Sequence, residues 1–165
     1  MNIGFDAKRA FFNNTGLGNY SRTLLKNLNN YFPKNKYFLY TPAITDNPRI
    51  KFIEGKNNII VRTPQYFIHK TSPALWRSFL MKKDLKHDKL DLFHGLSNEL
   101  PYSIHKIPIR SVVTIHDLIF LRYPEQYNAV DRKIYELKFK HSCKIADKVI
   151  AISEQTKRDV VEFFG

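Results

Sequence analysis

Short β-branched and aromatic runs alternate along the chain with longer runs of helical periodicity. No other feature constrains the fold as strongly. Strands separated by helix-length connections pair in parallel, because a parallel neighbour needs a long crossover. Strands are expected at Asn2–Asp6 (NIGFD), Lys36–Thr41 (KYFLYT), Leu90–His94 (LDLFH), Val112–Ile115 (VVTI) and Lys148–Ile152 (KVIAI). Arg49–Ile53 and Asn58–Arg62 are shorter candidates. The expected fold is α/β: a doubly wound, mostly parallel sheet with helices on both faces.

The helices carry their own signals. After a loop over Ala7–Asn14, Thr15-Gly16-Leu17-Gly18-Asn19-Tyr20 leads into a helix with Leu17, Tyr20, Leu24, Leu25 and Leu28 as its apolar stripe. Tyr31-Phe32-Pro33 ends it, since the residue before proline avoids the helical region. Pro73 opens a helix to about Lys86, with Leu75, Trp76, Phe79, Leu80 and Leu85 as apolar positions. Asp131 caps a helix reaching Ala146, with Val130, Ile134, Leu137, His141 and Ile145 on one side. Ser153 caps the last helix, whose Val160, Val161, Phe163 and Phe164 pack inward.

Composition narrows the class. The chain has 165 residues, 43% hydrophobic and 25% charged, enough for one domain with a real core. No apolar run approaches the ~20 residues that span a bilayer, and the start lacks the pattern of a signal peptide. The single cysteine, Cys143, rules out an internal disulfide and suits a reducing cytosol. It reads as a small apolar group rather than a nucleophile. No Cys/His cluster has metal-ligand spacing. Lys+Arg is 27 against 15 Asp+Glu, a net charge of +12, which favours an anionic partner without choosing among nucleic acid, acidic membrane and phosphate-bearing ligand. Arg77, Lys82, Lys83, Lys86 and Lys89 gather part of that charge on the Pro73–Lys89 segment. It is read as a helix with a solvated basic face, or as one that meets an anionic membrane surface.

In a parallel sheet, ligands bind beyond the carboxyl ends of the strands. Chemistry-bearing residues fall at those ends repeatedly. The glycine loop follows the first strand, His94-Gly95 ends a middle strand, His116-Asp117 ends the next, and Ser153-Glu154 ends the last. Glycines let backbone approach an anion, and a helix start directs free N–H groups at it. The full dinucleotide fingerprint is not met: glycine would have to stand where Ser21 does, and no acidic residue closes an obvious second strand. Histidine is the side chain type whose charge small environmental changes alter most readily, which makes the His116-Asp117 pair a candidate for chemistry; alternatively the pair closes a turn, with Asp117 bonding local backbone.

Four stretches in order, IGFDAKR, TGLGNYSRTLL, VVTIHDLIFLRYPEQY and ADKVIAISEQTKRDVVEFFG, resemble the amino-terminal half of glycosyltransferase family 4. These are retaining sugar transferases built from two Rossmann-like domains, the GT-B fold. The nearest look is of mannosyltransferase-like members that build bacterial surface polysaccharides. The resemblance implies that Gly16, Leu17, Gly18 and Asn19 form the loop approaching donor phosphates and acceptor, and that Arg9 reaches an anionic group. It implies that His116 bonds a hydroxyl of the transferred sugar, that Asp117 orients the loop or the imidazole, and that His94 and Ser153 lie on the substrate rim. It implies no resident cofactor and no metal, the nucleotide sugar being a co-substrate, and a glycan or lipid-linked acceptor. A cytoplasmic enzyme follows, peripheral at the inner membrane face if the basic segment meets it.

The resemblance covers residues 1–165 as one acceptor-side domain. The family's carboxy-terminal domain, with its Glu-x7-Glu pair and phosphate-binding Arg and Lys, has no counterpart here. The chain is therefore expected to be a fragment, inactive alone. Two rivals stand beside this reading: a basic nucleic-acid- or nucleotide-binding domain without transfer chemistry, and a doubly wound response module. The first lacks the usual basic-aromatic strand motif, so no nucleic acid is expected. The second leaves the TGLG and His116-Asp117 loops unexplained.

Overall fold

The computed structural model describes residues 1–64 and 72–165. The strands are β1 (Asn2–Asp6), β2 (Lys36–Tyr40), β3 (Ile59–Arg62), β4 (Leu92–Gly95), β5 (Arg110–Ile115) and β6 (Lys148–Ala151). They form one six-stranded sheet in the order β3-β2-β1-β4-β5-β6. Every neighbouring pair is parallel. This is the expected doubly wound, Rossmann-like α/β architecture, consistent with one half of a GT-B enzyme. The chain moves outward from β1 in one direction, then returns to build outward from β4 in the other. The switch point lies between β1 and β4, where Phe5 and His94 are register partners. In open parallel sheets ligands bind at such a switch point, beyond the carboxyl ends of the strands.

Strand periodicity distributes the core to both faces. On β2, Tyr37 and Leu39 join a cluster with Phe5, Leu25, Ile50 and Leu96. Phe38 and Tyr40 join the opposite cluster with Trp76, Met81, Phe93, Val113, Ile115 and Phe120. The first face is covered by α1 (Lys8–Phe12) and α2 (Gly16–Tyr31). On the second face a helical turn at Pro73–Leu75 passes through π-helical Trp76–Leu80 into α3 (Lys82–His87). It is followed there by α4 (Ile119–Arg122), α5 (Ala129–Ile145) and α6 (Glu154–Phe164).

The structure corrects several expectations. Ala7–Asn14 is not a plain loop: Lys8–Phe12 is helical because Ala10 and Phe11 bury against α2. Arg49–Ile53 is not a strand. Pro48 and the Asn47 side chain, which accepts from Arg49 N at 3.1 Å, start a 3-10 turn over Pro48–Ile53. The strand expected at Leu90–His94 runs over Leu92–Gly95 instead, with Gly95 as its last residue. Asn128, not Asp131, caps α5, its Oδ1 accepting from Val130 N at 2.9 Å. Of the series Val130, Ile134, Leu137, His141 and Ile145, the first three are 67%, 44% and 55% exposed and only the carboxy-terminal end of the series meets the core. The packed side is Phe139, Ser142, Cys143 and Ile145. Val161 of α6 is exposed likewise, and Trp76 is fully buried while Leu75 and Phe79 are not.

Candidate functional site

β5 delivers His116 to the rim, and three other segments hold it there. Its backbone N–H donates to Asn98 Oδ1 at 2.8 Å. Asn98 follows β4 in the left-handed region at φ 63°, which asparagine tolerates better than most residues. The His116 carbonyl accepts from Thr156 Oγ1, in the first turn of α6, at 3.0 Å. Tyr20 of α2 meets the imidazole edge to face, 4.9 Å between ring centres at 87°. The ring itself is anchored through Nε2, 2.9 Å from the Leu96 carbonyl.

That anchor sets the tautomer. A carbonyl oxygen only accepts, so Nε2 carries a proton, and in the tautomer this selects Nδ1 is the acceptor. Among the described residues no group pairs with Nδ1. Nor is Nδ1 among the fully buried side-chain polar atoms of the described residues that lack a partner, where Asn29 Oδ1 stands alone. His116 is 7% exposed, a fixed ring at the end of β5 whose Nδ1 is not committed to any described residue. It can accept a hydrogen bond from a ligand hydroxyl.

The other predicted rim residues separate by depth. His94 is buried below the rim, its Nε2 2.8 Å from Thr114 Oγ1. Burial lowers its pKa to about 4, so it is neutral at physiological pH. The same Thr114 hydroxyl lies 3.1 Å from Tyr20 Oη. His94 thus supports the tyrosine that backs His116. Asp117 is exposed, and its Oδ1 takes the Ile119 N–H at 3.4 Å, a local turn bond rather than a bond to the imidazole. Ser153 is exposed at the end of β6, where its hydroxyl caps α6 by accepting from Thr156 N at 3.1 Å.

In the glycine loop the two glycines differ. A Cβ on Gly18 would collide with the Asn13 carbonyl, whereas one on Gly16 would meet nothing within 4 Å. Asn13 Oδ1 binds both Thr15 N and Gly18 N at 3.0 Å, tying the loop to the helix start. The N–H groups of Gly16 and Leu17 have no acceptor among the described residues. Gly16 is exposed and Leu17 half-buried, so this backbone can reach a ligand. Asn19 is occupied: its Oδ1 receives Arg22 Nη2 at 2.7 Å. Arg22, unnoticed in the sequence, also donates through Nη1 to the carbonyls of Ala10 and Asn13 at 2.9 and 2.7 Å. Gly18→Ala is expected to cost about 1–3 kcal/mol of stability by overpacking. Gly16→Ala should be neutral or stabilising by up to about 1 kcal/mol. Thermal unfolding of the two variants checks this; equal losses would refute the division of labour.

Beside the loop, at the switch point, Asp6 ends β1. Arg77, from the π-helical turn, forks onto its carboxylate, with Nε 3.1 Å from Oδ2, and Asp6 Oδ1 accepts from Lys8 N at 3.3 Å. Arg9 is exposed on α1, next to this cluster in sequence. Arg77, grouped by sequence with the basic face of Pro73–Lys89, is instead largely buried against Asp6; the pairing left no sequence signal, because the partners lie 71 positions apart. Cys143 stays a thiol: burial pushes its pKa up to about 11. Among the described residues no group of three His, Cys, Asp or Glu is placed to hold a metal ion. A cavity of about 490 Å³, lined by Asp91, His105, Arg110 and Asp147 among others, lies at the amino ends of β4, β5 and β6 and touches none of the rim residues.

The model of the family Glycosyltransferase Family 4 matches residues 15–165, taking in the glycine loop, β5 with His116, and α6. The IGFDAKR stretch lies outside the match. No curated protein matches the chain.

Proposed function

The chain belongs to glycosyltransferase family 4, and on that premise we propose that it forms the acceptor-side wall of a retaining sugar transferase. The donor is a nucleotide sugar, with mannose the first sugar to test. The acceptor is a glycan or lipid-linked glycan of a surface polysaccharide. The observation that carries the reading is His116: an anchored ring presents Nδ1 at the rim, on the same side of the sheet as the glycine loop of α2. Nδ1 accepts from a sugar hydroxyl and fixes the reacting ring. The N–H groups of Gly16 and Leu17 meet an anionic oxygen. No nucleophile of the chain is needed if the leaving diphosphate and the incoming hydroxyl share one face of an oxocarbenium-like centre, with positioning and charge supplying the rate.

One wall cannot hold two substrates together, and much of the rate of such a transfer comes from holding them, with effective molarities of ~10⁵ M or more. The chain alone is therefore expected to give no transfer from a panel of nucleotide sugars. Adding a separately expressed nucleotide-sugar domain of the same family should restore it. Turnover by the purified chain alone would overturn the half-site reading. No transfer from any combination, with both halves folded, would overturn the function.

A further inference from the structure

The side of α5 turned away from the core carries two kinds of side chain in one stripe. Val130, Ile134 and Leu137 are exposed apolar residues. Lys133, Lys140 and Lys144 are exposed beside them. Most of these neighbours are three or four residues apart, which sets all six on one face of the helix. Phe139, Ser142 and Cys143 hold the opposite side against the core. The stripe itself contains no carboxylate. Asp131 and Glu136 flank it, and Glu136 is held by Lys133 at 3.1 Å. Beside Leu137 opens a cavity of about 380 Å³, lined by Tyr102, Glu136, Leu137, Lys140, His141 and Lys144. Tyr102 is fixed there between Phe79 and His141, with ring centres 4.9 and 4.5 Å away.

Exposed apolar side chains in a row favour a partner that removes them from water. A net charge of +12 favours an anionic one. The arrangement decides between a protein and a bilayer. Protein interfaces deplete lysine at their apolar centres, yet here lysines alternate with the apolar residues along the stripe. A bilayer surface suits that alternation, because a lysine stem lies along apolar surface while its ammonium reaches the headgroups. We propose that the outward face of α5 docks on an anionic lipid bilayer, with Val130, Ile134 and Leu137 in the headgroup boundary and Lys133, Lys140 and Lys144 on lipid phosphates. The Pro73–Lys89 segment offers no such face: its helix changes pitch over Trp76–Leu80, and Arg77 is turned to Asp6. The proposal does not rest on the sugar-transfer reading, and its test reads binding alone.

The probe is vesicles of phosphatidylcholine with about 30% phosphatidylglycerol, against phosphatidylcholine alone, sedimented with the 165-residue chain at about 150 mM salt. Saturable binding to the anionic vesicles is expected, roughly tenfold or more tighter than to the neutral ones. Lys140→Gln combined with Lys144→Gln should weaken it roughly twentyfold, at about fivefold for each cation near the surface. Leu137→Ser should weaken it roughly fivefold through lost apolar burial. Leu137→Trp should bind more tightly, and its indole emission should shift to the blue only with anionic vesicles. Trp76, the chain's own tryptophan, is fully buried and does not report. Lys83→Gln with Lys86→Gln removes the same charge from exposed sites on α3 and should weaken binding less than about threefold. Every altered side chain is exposed, so the parental Tm should be kept. No binding, equal binding to both vesicles, an equal loss in the α3 pair or an unshifted indole would each overturn the proposal. Tight binding of an acidic amphipathic peptide without binding to vesicles would overturn it too, and would assign the face to a protein.

Discussion

With both halves of the enzyme present, His116→Ala is expected to lower turnover by roughly tenfold to a thousandfold, the scale of one lost transition-state contact. The expectation comes from how the ring is held. Nε2 is committed to the Leu96 carbonyl and Tyr20 packs edge-on against the ring. The imidazole therefore cannot turn away from a substrate hydroxyl, and Nδ1 meets it without reorganisation. Alanine removes that contact and also leaves the Leu96 carbonyl without its donor. Rate and stability must therefore be read together. Tyr20→Phe separates them: it loses the hydroxyl beside Thr114 but keeps the ring contact, and should keep most of the activity. A folded His116→Ala enzyme with parental turnover would refute the assignment. A variant that fails to fold would mark His116 as structural.

Arg22→Met is expected to destabilise the chain by about 3 kcal/mol, since three acceptors lose a charged donor at about 1 kcal/mol or more each. Those acceptors are the carbonyls of Ala10 and Asn13 and the Asn19 side chain. Arg22 is 6% exposed, so water replaces it poorly. For a domain of this size the Tm should fall by about 6–12 °C. The Gly18 N–H, bound to Asn13 Oδ1, should lose exchange protection before the strands do. A Tm within a degree of the parent would show that Arg22 does not hold the loop.

Features set by local pattern were legible in the sequence. The strand at Val112–Ile115, the glycine loop and the Ser153 cap all depend on residues close together, and each stands where expected. So does the rim placement of His116, because parallel strands bring all their carboxyl ends to one edge. What escaped depends on partners far along the chain. The Asp6–Arg77 pair and the Asn98 clasp on His116 leave no periodic trace. His94 looks like a rim residue because it ends the expected strand. Its neighbour Gly95 still belongs to β4, so the imidazole lies deeper. The Val130, Ile134 and Leu137 series has proper helical spacing, and spacing alone does not say which side of a helix meets the sheet. Gly16 and Gly18 read alike as loop glycines, yet the Asn13 carbonyl explains only the second.

The all-parallel pairing has a consequence for the order in which the molecule can assemble. No ladder can begin from a tight hairpin, so every strand pair waits on a long chain closure. Across β1 and β2 the Met1 ammonium reaches Asn35, 34 positions away. Across β1 and β4 the Asn2 N–H reaches Asp91, 89 positions away. The longer closure carries about 0.9 kcal/mol more chain entropy, and contacts at that separation slow folding. The β1–β4 junction therefore forms at the end of the search rather than at its start, and a nascent chain keeps Asp6 and Arg77 apart until the open sheet has closed around them.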